Sequence, residues 1–449
     1  MDSLIYVLFT ITVSVILLVI LSSRYKVHPF LSLIVASLIV GFANGLDGNI
    51  ILKLITSGFG SILSQIGLLV VFGTILGVLL ERSGALFSIA NFVSHKLSRD
   101  QSFGAMTILG AVVSIPVFCD SGFIILSRMS QLLGQKRNVS PISMSLSLAA
   151  GLYTTHTLVP PTPGPIAVTA NLGIADHLGT VILMGLITSI PVLFISSKAA
   201  AFFGKRIAFK ESNVVADDKV PKHSFVKSIF PIALPIVLIA LGSLISFLYP
   251  ELGKGHFLFF VTHPVMALLI SCILAMLIFS GNLRLEGEGA LVKEAIVQAG
   301  PILLITGAGG AFGTVLKGTA LSNLLSEQFV NIQGGLFLLI FVGFLLSALL
   351  KTAQGSSTSA LVISSALLAP IAVNLGVNDV IQLSLLTMGI GGGAMTVSHS
   401  NDSYFWVVTQ FSNMNMEQGY KTFTLLTLIQ GLSTLAIVLV MAILVTIVL

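Results

Sequence analysis

Charge is what this chain has least of. Lys, Arg, Asp and Glu make up 9% of its 449 residues, against about 25% in soluble domains. So few ionic groups cannot build a water-facing surface, which excludes an ordinary soluble protein. Cysteine is nearly absent as well. Cys119 and Cys272 stand alone, so no disulfide framework is implied. Cys119 adjoins Asp120, but no second metal ligand lies near it in sequence, and a small buried residue is expected there. No G-x-S-x-G turn occurs, which denies a Ser/His/Asp hydrolase its nucleophile elbow. The first three residues carry no basic region and no A-x-A site follows the first apolar run, which argues against a cleaved signal peptide.

What the chain has instead is apolar side chain, at 55% of residues and a mean hydropathy of +1.04. Residues 4–21 form an uncharged run of the length a bilayer crossing needs, about 20 residues. Further simple crossings are predicted at 30–43, 62–80, 178–195, 229–249, 257–279 and 423–449. The net charge of +5 gathers at segment ends and gives no nucleic-acid signal. Arg24 and Lys26 after the first run place the N-terminus outside by the positive-inside rule. The stretch 204–228 holds six Lys or Arg against three acids and reads as a cytoplasmic linker between two halves.

Four other apolar segments are interrupted: 111–128, 151–166, 345–370 and 391–406. Each carries Gly, Pro, Ser, Thr, Asn or a charge at membrane depth. Within GLYTTHTLVPPTPGPI (151–166), Pro160, Pro161, Pro163 and Pro165 forbid a continuous helix. Irregular backbone survives in a bilayer only where protein buries it or water lines it. Paired interruptions in two halves are the best pointer to a transporter's binding site. The halves do correspond. GVLLERSGAL (77–86) resembles GTVLKGTAL (313–321), Asp120 maps near Gln354, and GLYTTHT (151–157) resembles GAMTVSHS (393–400).

The reading is therefore an all-α polytopic membrane protein, an inverted-repeat secondary transporter with two re-entrant hairpins and broken helices. Its expected parts are N-terminal spans (1–61), a first repeat (62–203), the linker (204–228), connecting spans (229–296), a second repeat (297–422) and a last span (423–449).

A charge at the bilayer centre costs at least about 2.5–3.5 kcal/mol, so intramembrane ionisable groups are functional candidates. Asp120 can load and release a proton, or cap the next half-helix. His156 can donate to a solute carboxylate or relay a proton. Thr154, Thr155 and Thr162 surround the proline break, where Gly164 admits a solute close to the backbone. In KTAQGSSTSA (351–360), Gln354, Gly355, Ser356, Ser357 and Thr358 form a turn whose following helix N-terminus suits an anion. Lys351 offsets charge there or snorkels to an interface. Ser398, His399, Asn401 and Asp402 in SHSNDSYFW (398–406) suit a polyhydroxylated solute or an ion.

Three strings carry a family resemblance: HTLVPPTPGP (156–165), KTAQGSSTSA (351–360) and SHSNDSYFW (398–406), with YKVHPFLSLIVAS near the start. They resemble the gluconate:proton symporter (gluconate permease) family over nearly the whole chain. The resemblance implies an inner-membrane importer coupling small sugar acids or hydroxy acids to protons, with elevator-type movement in a homodimer. It implies a small anionic solute, protons and lipid as partners, and no cofactor or metal. Two departures, Thr162 between the prolines and FCDSG around Asp120, fall in binding segments. They keep glycerate and D-serine open as solutes beside gluconate, and sodium remains open as the coupling ion.

Overall fold

Helix is the only regular structure among the described residues, as a chain in hydrocarbon requires when each segment must satisfy its own backbone. The structure is a computed structural model describing residues 4–96, 102–207, 223–248, 256–283, 288–319, 335–400 and 402–448. Eight of the described helices are long and apolar enough to cross a membrane.

The chain opens with α1 (Leu4–Ser23) and α2 (Pro29–Ala43). At 15 residues, α2 spans only about 22 Å at 1.5 Å per residue. A succession of elements then follows that occurs twice. The first comprises α3 (Gly48–Arg82), α4 (Ala85–Lys96), the hairpin arms α5 (Ser102–Val113) and α6 (Cys119–Lys136), the broken helix α7 (Pro141–Leu158) with α8 (Pro163–Asn171), and α9 (Leu178–Gly204). After α10 (Phe225–Leu248), α11 (Phe257–Thr262) and α12 (Pro264–Leu283) comes the second. It runs from α13 (Glu288–Gly318) to the arms α14 (Gly335–Gln354) and α15 (Ser357–Asn374), then the broken helix α16 (Val380–Met395) with α17 (Ser403–Phe411). It closes through a π-helical stretch, Tyr420–Thr424, into α18 (Leu425–Val448).

Three sequence boundaries need correction. The divisions expected at 61/62 and 296/297 fall inside α3 and α13, which are continuous helices. The crossing read at 257–279 is split at His263 into α11 and α12. Apolar content alone does not register a turn where both flanks are hydrophobic. Most of the linker lies outside the described residues, as does Asn401.

Glycine sets how closely the helices meet. A Cβ on Gly151 of α7 would sit 1.9 Å from the carbonyl oxygen of Thr107 on α5. One on Gly393 of α16 would sit 2.2 Å from that of Phe344 on α14. Each hairpin's first arm is thus packed backbone to backbone on the following broken helix. The two long helices α3 and α13 meet the same way, where a Cβ on Gly58 would lie 2.6 Å from the Gly310 oxygen. Arg82 at the end of α3 adds an ion pair to Glu294 on α13 at 3.0 Å. The halves also interlock. Asn171 at the end of α8 donates to the Val362 oxygen (3.1 Å) and Ser365 Oγ (2.9 Å) of α15. Reciprocally, Gln131 of α6 donates to the Phe411 oxygen at the end of α17.

Candidate functional site

Four breaks lie between half-helices, and each has a local cause. At the second hairpin tip α14 ends at Gln354, and Gly355 takes φ +71, a left-handed turn that favours glycine. Ser356 then turns extended and caps α15, its Oγ accepting from Ser359 N at 3.2 Å. In the second broken helix, Val397 sits at φ +53, a strained region for a β-branched residue. Its neighbours hold it there. Ser398 N donates to Thr427 Oγ1 at 2.9 Å, and Thr424 Oγ1 donates to the Ser398 oxygen at 2.6 Å.

These two breaks are joined by charge. Lys351 reaches from the last turn of α14 to Asp402 in a direct ion pair, with the two side chains 0% and 4% exposed. Ser398 Oγ donates to the same carboxylate oxygen. The other oxygen caps α17 by accepting from Tyr404 N at 3.1 Å. Lys351 is therefore buried as a partner of Asp402 and does not snorkel. His399 Nε2 lies 3.0 Å from the Thr352 oxygen, a second tie between the same segments. Tyr153 of α7 comes under the pair, its ring 5.9 Å from Lys351 Nζ and its hydroxyl 2.7 Å from Ser357 Oγ.

The first pair of breaks is more open. After α5, Ser114 Oγ bonds the Val117 oxygen at 3.1 Å, and α6 starts at Cys119 behind Phe118, which gives no side-chain cap. Asp120 stands in the first turn. The thiol of Cys119 lies 3.8 Å from its Oδ2, while its Oδ1 is buried without a hydrogen-bond partner. Asp120 lies within electrostatic reach of Asp402 and Lys351. In the first broken helix, the Pro160–Pro161 bond is cis. Thr162 opens α8 but does not cap it, because its hydroxyl donates to the Val159 oxygen at 2.7 Å. Gly164 packs on Leu361 and Thr358 of α15, so it serves the contact between the halves.

His156 occupies its own small chamber. It is 6% exposed, Nδ1 has no partner, and its ring lies 5.9 Å from that of Phe118. With Thr74, Pro116, Pro161 and Thr162 it lines a pocket of about 10 Å³, on the order of one water.

The geometry thus sorts the sequence candidates. It brings Lys351, Ser398, Asp402 and Ser357 together, with His399 tied alongside and Asp120 nearby. It commits Thr154 and Thr155 to the protein. Thr154 donates to the Ala150 oxygen and accepts from Gln430 Nε2, both at 2.8 Å, and Thr155 donates to the Ala111 oxygen at 2.8 Å. Gln354 is the opposite case, for both atoms of its buried amide lack partners. The reading of the sequence missed Tyr153, Tyr404 and Gln430. The signal for Gln430 was present, a single amide in the apolar run LLTLIQGLSTL.

Known proteins match the chain closely enough to classify it. The model of the GntP family permease matches residues 6–445. The chain is 33% identical over 444 residues to the inner membrane permease YgbN of Escherichia coli (strain K12), covering 93% of this chain and 94% of the relative. It is 30% identical over 437 residues to a gluconate permease of Pseudomonas aeruginosa, with 93% and 94% covered. It is 29% identical over 448 residues to the D-serine transporter DsdX of Escherichia coli (strain K12), with 97% and 98% covered. Among solved structures, the YdaH transporter of Alcanivorax borkumensis superposes with a TM-score of 0.63 at 18% identity, 88% of each chain being covered. That likeness is one of fold. The sequence matches go further: this chain belongs to the GntP family of permeases, and it is a membrane transporter and not an enzyme.

Proposed function

We propose that this permease imports a small hydroxy-carboxylate across the inner membrane together with protons, with Asp120 as the proton carrier. The observation that carries the reading is the open N-terminus of α6. Its first turn has no side-chain cap, and its own carboxylate, Asp120, keeps one oxygen unpartnered. A helix N-terminus with free N–H groups attracts an anion. Here the solute's carboxylate would meet Asp120. Like charges in a poorly solvated site oppose one another. Protonating Asp120 removes that repulsion, so solute and proton load together. Lys351 stays paired with Asp402 throughout and keeps the second break from becoming a competing anion. The partnerless amide of Gln354 supplies a donor and an acceptor for solute hydroxyls. His156, buried beside Phe118, relays protons and does not contact the solute. The two successions of elements form an inverted pair moving as an elevator within a dimer.

Gluconate is the first solute to test, on the name of one relative. Glycerate and D-serine follow, because Thr162 and FCDSG mark a site of different shape. Purified protein in proteoliposomes under an inward proton gradient should accumulate one of these three labelled solutes. Asp120→Asn should still exchange labelled for unlabelled solute but lose gradient-driven accumulation. Full accumulation by the Asn variant would remove Asp120 from the mechanism, and accumulation that follows sodium at fixed pH would replace the proton.

A further inference from the structure

A second polar surface lies away from the breaks, where α9 ends against the start of α5. An open cleft of about 1100 Å³ forms there, walled by α5, α9 and the loop leading into α7. Lys198, Lys205 and Arg206 project into it, and its described lining holds no carboxylate. Each cation rests over an aromatic ring. Lys198 Nζ is 5.5 Å from the Phe194 centroid, Lys205 Nζ is 5.8 Å from that of Phe103, and Arg206 lies 3.9 Å over Phe202. No described acid forms an ion pair with any of the three.

The walls are fixed and not incidental. Ser140 Oγ donates to the Gly204 oxygen at 3.0 Å, and Ser143 Oγ donates to the Ala201 oxygen at 3.2 Å. Gly204 allows this approach, since a Cβ there would sit 2.5 Å from Ser143. The cleft opens onto an apolar outer surface. Phe194, Lys198 and Phe202 recur every four residues, so they share one face of α9. Phe194 is 67% exposed, and Ile190 one turn earlier is 69% exposed. A spanning helix that exposes such side chains faces lipid tails, and its charged end lies at headgroup level.

We propose that this cleft holds the headgroup of an anionic glycerophospholipid, its phosphate among Lys198, Lys205 and Arg206 and its acyl chains along Ile190 and Phe194. Charge complementarity selects the anion, and the continuous apolar face selects a lipid over a soluble phosphate. Basic pockets between spanning helices bind anionic headgroups on this principle.

Native mass spectrometry of the delipidated full chain, titrated with phosphatidylglycerol or phosphatidylcholine, tests the proposal. Wild type should retain phosphatidylglycerol preferentially. Each neutralised cation should weaken retention about fivefold, so Lys205→Gln with Arg206→Gln should lose about 25-fold. The charge-keeping pair Lys205→Arg with Arg206→Lys should retain the lipid, which separates lost charge from a damaged fold. Equal retention of both lipids, or undiminished retention by the double Gln variant, would overturn the proposal. So would inorganic phosphate displacing the lipid at equal concentration, since the cleft would then be a soluble-anion site.

Discussion

The first hairpin and its broken helix leave their polar ends open, whereas the second pair closes them. At α6 and α8 no side chain caps the helix, and Asp120 Oδ1 and His156 Nδ1 have no partner. At α15 and α17 Ser356 and Asp402 cap, Lys351 neutralises, and Thr424 and Thr427 clamp the strained backbone around Ser398. The same succession of elements therefore carries two different chemistries. A site whose polar groups already pair has little to offer a solute, while one with open groups has much. On the proposed function the closed side is a fixed jaw and the open side the receptive one, with Gln354 as the fixed side's open amide.

The largest effect should come from breaking the closed side. Lys351→Met strands a buried carboxylate, which costs about 3–5 kcal/mol. Thermal unfolding in detergent should show it as a pronounced loss of stability. Adding Asp402→Asn, which keeps a capping oxygen, should recover most of the loss; no recovery would mean that the pair is not what holds the break. Next come the glycine contacts. Gly151→Ala and Gly393→Ala each force a methyl group into a carbonyl, and overpacking of this kind costs about 1–3 kcal/mol. The two losses should be alike, because backbone packing is shared by both halves even though polar chemistry is not. Removing the α15 cap with Ser356→Ala should cost about 1 kcal/mol. Thr162→Ala should cost α8 no capping energy, since Thr162 does not cap it, and comparing the melting curves of these two variants tests the asymmetry directly. The smallest effect on stability belongs to Asp120→Asn, which removes neither a helix cap nor an ion pair yet should abolish proton-driven accumulation. Equal stability with intact accumulation would leave the open side without its proposed task.

Much of this was legible beforehand. The four breaks follow from Pro116, from Pro160–Pro165, from Gly355 and from the polar run 398–403, because such residues cannot sit in a lipid-exposed helix. Asp120, Lys351 and Asp402 stood out because charge in an apolar run demands a reason. The pairing itself could not be read, since sequence gives no measure of how two segments 51 residues apart are brought together. Nor could it tell which face of α7 looks inward. Thr154 and Thr155 seemed suited to a solute, but an intramembrane hydroxyl with no water must find a carbonyl, and theirs did. The length of α3 was hidden too: the apolar run marks a crossing only at 62–80, whereas close packing of Gly58 on α13 lets the helix begin at Gly48.

The buried ion pair also has a history during synthesis. Lys351 leaves the ribosome 51 residues ahead of Asp402, an interval of roughly 3–10 s at about 5–20 residues per second. For that time an ammonium group belongs to a hydrophobic hairpin that lacks its counter-charge. Seating the hairpin at its final depth unpaired would cost at least about 2.5–3.5 kcal/mol, which favours settling only after the next broken helix has followed it into the bilayer. We expect a nascent chain halted before residue 398 to leave Lys351 open to an amine-reactive label that the complete protein excludes. Equal protection in both would show that the pair is not needed to seat the hairpin. The second half of this transporter then assembles in a fixed order, set by which partner of one charge pair is translated first.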